Sequence, residues 1–412
     1  ILAAIGFGII FGIVLPDYIG YVDWMGELFL RLLKMVVIPM IFCALVSAIT
    51  GIKEEGKLGI LGIKTVLLYF FTTLFAVFTA LFFVGIFQPG TGIAIPSDLT
   101  ADDITSQAKS LRETLLHIFP DNPFAAFANA NMLPIVVFAI LFGIFLTRSW
   151  RQECLSAEKS RQESVNPVET LIQVFEGGNR VFLKMTVFVI MLAPFGVFGI
   201  IAENTARFAG DTEMLAQLGR GLGLHCITVV TGLAFHLLIT LSVLLWFFGR
   251  CNPYRHLLNM SSVILTAFST DSSNATLPVT LEEVMKKDGV SEKVAGFVLP
   301  LGATLNMNGT ALYECAVVLF IANAYGIELT LFQQFITVLM VLLTAVGTAG
   351  IPMGSIVMIG IILHTVGLPP EGIGLVLAVD RPLDMCRTAL NVYSDTCCAA
   401  IIAKTEGEKL QI

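Results

Sequence analysis

Five polar residues near the C-terminal end are spaced to work together. Asp380, Asp384, Arg387, Asn391 and Asp395 follow one another at intervals of four, three, four and four. On an α-helix those intervals line all five side chains along one stripe. A guanidinium there suits a carboxylate through two parallel hydrogen bonds. Asp384 can receive an ammonium group and Asp395 a cation. The competing explanation is a buried ion-pair ladder with no guest, although such ladders are seldom more stabilising than apolar packing. A second polar run, Asn306-Met307-Asn308-Gly309-Thr310, interrupts an apolar stretch. Two amides, a hydroxyl and a glycine fit an unwound turn whose oxygens suit a hard cation such as Na⁺, or a helix kink bonded to its own backbone. Glu314 follows one turn later. Charge is costly there, so it is a candidate proton carrier or a neutral structural acid.

The elements that must position these residues follow from composition. Of 412 residues, 56% are hydrophobic and 13% charged, against about a quarter charged in soluble globular chains. Mean hydropathy is +0.85. So few polar groups cannot cover a water-exposed surface, and lipid must be the main solvent. Each central Asp or Arg then costs about 2.5–3.5 kcal/mol to insert, so four charges on one stripe call for a function. The net charge of −7 and the absence of a long basic run argue against nucleic acid. The eight cysteines, mostly in apolar segments with no CxxC or Cys/His cluster, read as buried thiols rather than a metal site. No cofactor is expected.

A helical span needs roughly 20 apolar residues. Candidate spans fall near 1–15, 24–50, 60–87, 123–146, 167–201, 215–248, 292–322 and 371–403. The first reads as a helix that starts upstream of Ile1, behind a short polar leader, and not as a cleavable signal. Two further stretches, 255–286 and 331–367, are broken by 269–278 (Ser-Thr-Asp-Ser-Ser-Asn-Ala-Thr-Leu-Pro) and 347–352 (Gly-Thr-Ala-Gly-Ile-Pro). Irregular backbone at membrane depth survives only where buried or lining a cavity. Both stretches therefore read as re-entrant helical hairpins, the mark of inverted repeats around a binding site. With the N-terminus inside, inner segments hold fourteen of the 24 Lys and Arg, among them Lys53, Arg148, Arg250 and Lys286, and outer ones only Lys109, Arg112 and Arg207. That bias places both termini in the cytoplasm. Loop 88–122 reads as outer and acidic, and 147–166 as a solvated inner linker.

Other functions fit less well. An intramembrane protease needs facing aspartates or a Ser/His pair, yet Asp380 and Asp384 share one helix and Ser269, Ser272 and Ser273 have no paired His. A channel ring carries one sign of charge, whereas this stripe carries both.

In this order, the serine-rich 269–278, Asn306–Thr310, Gly347–Pro352, and Asp384-Met-Cys-Arg387-Thr388-Ala-Leu-Asn391 through Asp395 resemble the glutamate transporter family of dicarboxylate/amino acid:cation symporters. Asn122–Pro134 is similar to that family's fourth span, and the resemblance covers nearly the whole chain. It implies an all-α polytopic protein with eight transmembrane helices and two re-entrant hairpins, working as an elevator-type transporter in a homotrimer. Scaffold parts would be 1–58 and 89–201; transport-domain parts would be 59–88 and 202–412, with hairpins 255–286 and 331–367.

By resemblance, Arg387 binds the substrate's side-chain carboxylate and Asp384 its amino group. Thr310, Thr388, Asn391, Ser272, Ser273, Ile351 and Gly354 complete the site, with 347–355 as the outer gate. Sodium ions would use Gly302, Asn306, Asn391 and Asp395; Tyr69, Thr72, Thr73, Asn306 and Asn308; and carbonyls near Thr304 and Thr348.

Three departures stand out. Asn308 replaces the acid of Asn-Met-Asp-Gly-Thr, which weakens attraction for one Na⁺. Glu314 matches the acid of proton-coupled members, while Asp395 is retained. Asp271 and Arg381 form a candidate pair between hairpin and last span, and Met353 and Ser355 are bulky for the gate.

The expected function is symport, not catalysis: uptake of glutamate or aspartate coupled to Na⁺, H⁺ or both. A C4-dicarboxylate carrier is the alternative, disfavoured because Asp384 would repel its ligand. Outer loops without an Asn-x-Ser/Thr acceptor point to a bacterial inner membrane as the plasma membrane concerned.

Overall fold

The computed structural model describes residues 2–51, 58–93, 119–129, 132–160, 166–207, 212–347 and 354–412. Within them every regular element is helical and no strand forms. Most of loop 88–122 (94–118), linker residues 161–165 and the second hairpin's tip 348–353 lie outside the described residues, as do Lys53, Lys109 and Arg112.

In chain order the helices are α1 (Leu2–Val14), α2 (Asp23–Thr50), α3 (Leu58–Phe87), α4 (Pro123–Ala128), α5 (Met132–Ser160), α6 (Pro167–Met191), α7 (Ala193–Arg207), α8 (Thr212–Phe235) and α9 (Leu241–Gly249). They continue as α10 (Pro253–Asn259), α11 (Ser261–Thr270), α12 (Ser273–Glu283), α13 (Glu292–Leu305), α14 (Asn308–Ala324), α15 (Leu331–Gly347), α16 (Gly354–Val366) and α17 (Ile373–Thr405). Single π-helical turns, His236–Thr240 and Val284–Asp288, follow α8 and α12.

Local chemistry sets the starts. An Asn-Pro pair opens α4, α6 and α10: the asparagine accepts from the first free amides, and the proline supplies a pre-set φ where no donor is needed. Asn122 Oδ1 accepts from Phe124 N at 2.9 Å, Asn166 Oδ1 from Val168 N at 2.9 Å, and Asn252 Oδ1 from Tyr254 N at 3.1 Å.

Three helices are long and apolar enough to cross a membrane among the described residues: Ile60–Phe87, Ala216–Gly249 and Glu292–Ala324. The bent pair α6 and α7 makes a fourth if it counts as one span. The 33-residue α17 is long enough, but Asp380, Arg381, Asp384, Arg387 and Asp395 lower its apolar character. The surface of α3 shows which solvent it meets. Leu67, Phe71, Phe75, Phe78 and Phe82 are exposed on one side, while Tyr69, Thr72, Thr73 and Ala76 are buried on the other. An exposed aromatic stripe of this length marks a membrane protein facing lipid.

The chain forms two compact units. One comprises 1–30, 64–108 and 192–412; the other comprises 31–63 and 109–191. This division follows contacts and assigns Ile1–Leu30 to the unit that contains α17. The smaller unit is centred on Phe42, which packs with Phe127, Phe138, Phe142 and Phe175 at centroid distances of 5.2–6.0 Å.

In the larger unit, two interruptions shape the interior. Between α11 and α12, Asp271 turns left-handed (φ 51°) and Ser272 becomes extended to cap α12, accepting from Ala275 N at 3.3 Å. Between α13 and α14, Asn306 and Met307 leave helical geometry, with ψ of 65° and 58°. The helices of each pair, α11/α12 and α15/α16, pack against each other, and α11, α12 and α16 also pack against α17.

Small residues let α1 dock on α7. A Cβ on Gly12 would fall 2.6 Å from Ala202 O, and one on Gly8 3.0 Å from Phe198 O, whereas Gly6 meets nothing within 4 Å. Gly8 and Gly12 thus form a small-xxx-small contact. Gly12→Ile should greatly reduce the yield of monodisperse detergent-solubilised protein by size-exclusion chromatography, while Gly6→Ile should leave it near that of the parent.

Candidate functional site

Arg387 lies at the centre of the site and is fully buried. Helix α14 reaches its backbone because residue 309 is glycine: a Cβ there would sit 2.7 Å from Arg387 O. The guanidinium Nη2 donates to Asp384 Oδ1 at 2.6 Å and to Asp380 Oδ1 at 3.2 Å. Its Cζ lies 3.8 Å over the Tyr313 ring. Nε and Nη1 have no partner among the described residues. A buried cationic donor left unpaired costs at least about 1–3 kcal/mol, so the group is held ready for an anion. A carboxylate can take Nη1 directly, and the parallel two-bond geometry arginine favours becomes available once one of the two aspartates yields its Nη2 hydrogen.

Around it the structure gathers several of the expected residues. Asn391 accepts from Gly309 N at 2.7 Å and donates to Thr310 Oγ1 at 3.1 Å. Thr388 Oγ1 donates to Asp271 Oδ1 at 3.0 Å, and Arg381 forms an ion pair with the other Asp271 oxygen. The tip of the first hairpin is therefore tied to α17 by a hydroxyl and a charge. Ser272 serves as the cap of α12, and Ser273 is buried at its first turn. Ile351 and Thr348 lie outside the described residues, as does Met353; Gly354 begins α16, and Ser355 is buried.

The oxygen-rich cluster lies one turn or more farther along α17. Asn306 accepts from Thr72 Oγ1 at 3.1 Å and donates to Asp395 Oδ1 at 2.8 Å and Ser394 Oγ at 3.0 Å. Asn308 accepts from Thr73 Oγ1 at 2.7 Å and donates to Ser394 Oγ at 2.7 Å. Tyr69 OH donates to Val298 O at 2.7 Å. Gly302 makes this convergence possible, since a Cβ would fall 2.5 Å from Asp395 Oδ1 and 2.9 Å from Tyr69 OH. Hydroxyl, amide and carboxylate oxygens are the donor set a hard monovalent cation takes. At Thr304, where the expectation concerns the backbone carbonyls, the side chain is exposed and its hydroxyl donates to Leu301 O at 3.0 Å. Glu314 is wholly buried, with Oε2 accepting from Thr344 Oγ1 on α15 at 2.9 Å and Oε1 without a partner among the described residues.

Four contributors are absent from the sequence-based set of roles. Tyr313 is the face on which Arg387 rests, and Asp380 is its second carboxylate. Ser394 joins the two amides, and Thr344 holds Glu314. Only Asp380 carried a signal, through its place on the stripe. Tyr313 and Thr344 look like ordinary membrane-helix residues, and Ser394 is one hydroxyl beside a more conspicuous acid.

The family model described as "Sodium:dicarboxylate symporter family" matches residues 1–405. A proton/sodium-glutamate symport protein of Bacillus subtilis is 34% identical over 410 residues, covering 97% of this chain and 90% of its own length. A proton/glutamate-aspartate symporter of Escherichia coli is 31% identical, covering 97% and 91%. A neutral amino acid transporter B(0) of Bos taurus is 32% identical, covering 92% and 72%. With the match running from the first helix to the end of α17, the chain belongs to the sodium:dicarboxylate symporter family.

Proposed function

We propose that this protein is a cation-coupled symporter of the acidic amino acids glutamate and aspartate. The observation that carries this reading is Arg387, fully buried with Nε and Nη1 unpartnered among the described residues, beside Asp384, Thr310 and Asn391. A side-chain carboxylate satisfies the guanidinium, and as it does so Asp384 is released to meet the substrate's ammonium group. Thr310, Thr388 and Asn391, together with Ser272, Ser273, Ile351 and Gly354, frame the remaining polar atoms. Relatives whose names carry glutamate and aspartate support the same substrate class.

Coupling follows from electrostatics. Asp395, Asn306 and Asn391, with Gly302, receive one cation; Tyr69, Thr72, Thr73, Asn306 and Asn308 receive another with weaker attraction, because Asn308 contributes no charge. Carbonyls near Thr304 and Thr348 are the third set. Glu314 carries a proton. Once cations and substrate have neutralised the stripe, the transport parts 59–88 and 202–412 can pass the scaffold parts 1–58 and 89–201 without dragging bare charge through lipid, which would cost several kcal/mol. The finer architecture belongs to this proposal: eight transmembrane helices, two re-entrant hairpins with 347–355 as the outer gate, an elevator stroke, a homotrimer, and a bacterial inner membrane with both termini in the cytoplasm.

A C4-dicarboxylate would also engage Arg387 but would bring no ammonium to Asp384. Uptake of labelled glutamate should therefore be competed by aspartate, and much less by succinate or serine. In reconstituted vesicles, imposed Na⁺ or H⁺ gradients should each be tested for driving glutamate uptake; indifference to both would overturn the coupling. Glu314→Gln should remove the H⁺-driven component, and Asn308→Asp should increase the Na⁺-driven one.

A further inference from the structure

Outside the substrate and cation clusters, the larger unit contains one more fully buried polar chain. His256 on α10, Asp288 at the end of the π-turn after α12, and Thr396 on α17 are each 0% exposed. His256 Nδ1 lies 2.6 Å from Asp288 Oδ2, and its Nε2 lies 3.0 Å from Thr396 Oγ1. Asn259 Nδ2 donates to the second Asp288 oxygen at 2.7 Å. Gln411 N donates to the Asp288 carbonyl at 2.9 Å.

Hydrogen count orders this chain. Thr396 Oγ1 donates its single hydrogen to Tyr393 O, 2.7 Å away. Only lone pairs then remain for the imidazole, so His256 Nε2 is the donor. At 2.6 Å, Nδ1 and the carboxylate oxygen must share a proton between them. The Tyr393 ring packs beside the imidazole at 5.4 Å. Removing one member of such a buried pair is costly, whereas replacing both with apolar groups can be nearly neutral.

Position gives the chain its consequence. His256 lies at the start of the first limb of the hairpin and Asp288 in the π-turn just past the second, so their contact closes the hairpin's base. Thr396 is the residue after Asp395, and its hydroxyl ties the imidazole to the Tyr393 carbonyl within the same turn of α17. We infer that the His256–Asp288–Thr396 chain is a positioning device that sets the orientation of α17 at Asp395 and thereby the affinity of the cation cluster. This inference rests on the cation-coupled reading above. The three residues do not touch the transported ion; they act through the turn that presents Asp395.

Uptake into vesicles, measured against Na⁺ concentration and against glutamate at saturating cation, tests it. Thr396→Val removes the acceptor with little change of shape. It should raise the half-saturating cation concentration about threefold to tenfold, the range for one buried hydrogen bond, with the glutamate KM at saturating cation unchanged. If the H⁺ gradient is the one that drives uptake, the same comparison is made against proton concentration. Thr396→Ser, which keeps the hydroxyl, should restore the parent value. The double replacement His256→Phe with Asp288→Leu should reproduce the shift, and adding Thr396→Val should increase it no further. A cation half-saturation unchanged in Thr396→Val, or a fall in maximal rate alone, overturns the inference. A parent protein driven by neither gradient overturns the underlying coupling as well, which separates the two failures.

Discussion

A guanidinium removed from water, with donors left unfilled among the described residues, constrains the rest of this molecule. Arg387 has two carboxylates on one nitrogen and an aromatic ring beneath it. These contacts keep a cation at a depth where insertion alone costs a few kcal/mol, yet they stop short of satisfying it. Full satisfaction would make a structural ion pair; none would expel the group or unfold the helix. The intermediate state suits a site that must bind an acidic guest and release it again.

Neighbouring elements serve that state. Gly309 brings α14 onto the backbone of α17, and the unwound Asn306–Met307 turn frees amides to meet Asp395 and Ser394. The Asp271–Arg381 pair and Thr388 fasten the first hairpin's tip next to the same helix. The Arg387 cluster and the Asn306–Asp395 cluster, which the proposed function assigns to substrate and cation, therefore share α17 and α14. Filling one changes the charge felt by the other, the physical requirement for coupling two cargoes in one stroke.

Much of this was legible in the sequence because membrane burial makes polar residues conspicuous. A stripe at four, three, four and four intervals survives any error in helix boundaries, and Asn-Met-Asn-Gly-Thr announces a broken helix without homologues. The 269–278 run likewise points to a turn, and Asp271 supplies it. Supporting residues were harder to see. Tyr313 matters through the face of its ring, Ser394 through two bonds to residues more than eighty positions away, and His256 through partners 32 and 140 positions distant. Periodicity reports which side of a helix is polar; it cannot report which distant side chain will meet it.

The most direct measurement is equilibrium binding of labelled glutamate to purified protein and to Arg387→Ala, at saturating Na⁺ and low pH so that either cation is supplied. Truncating one side of a buried charge pair costs at least about 2 kcal/mol, so the variant should bind at least about thirtyfold more weakly while eluting as folded protein. Binding within about threefold of the parent would contradict the account.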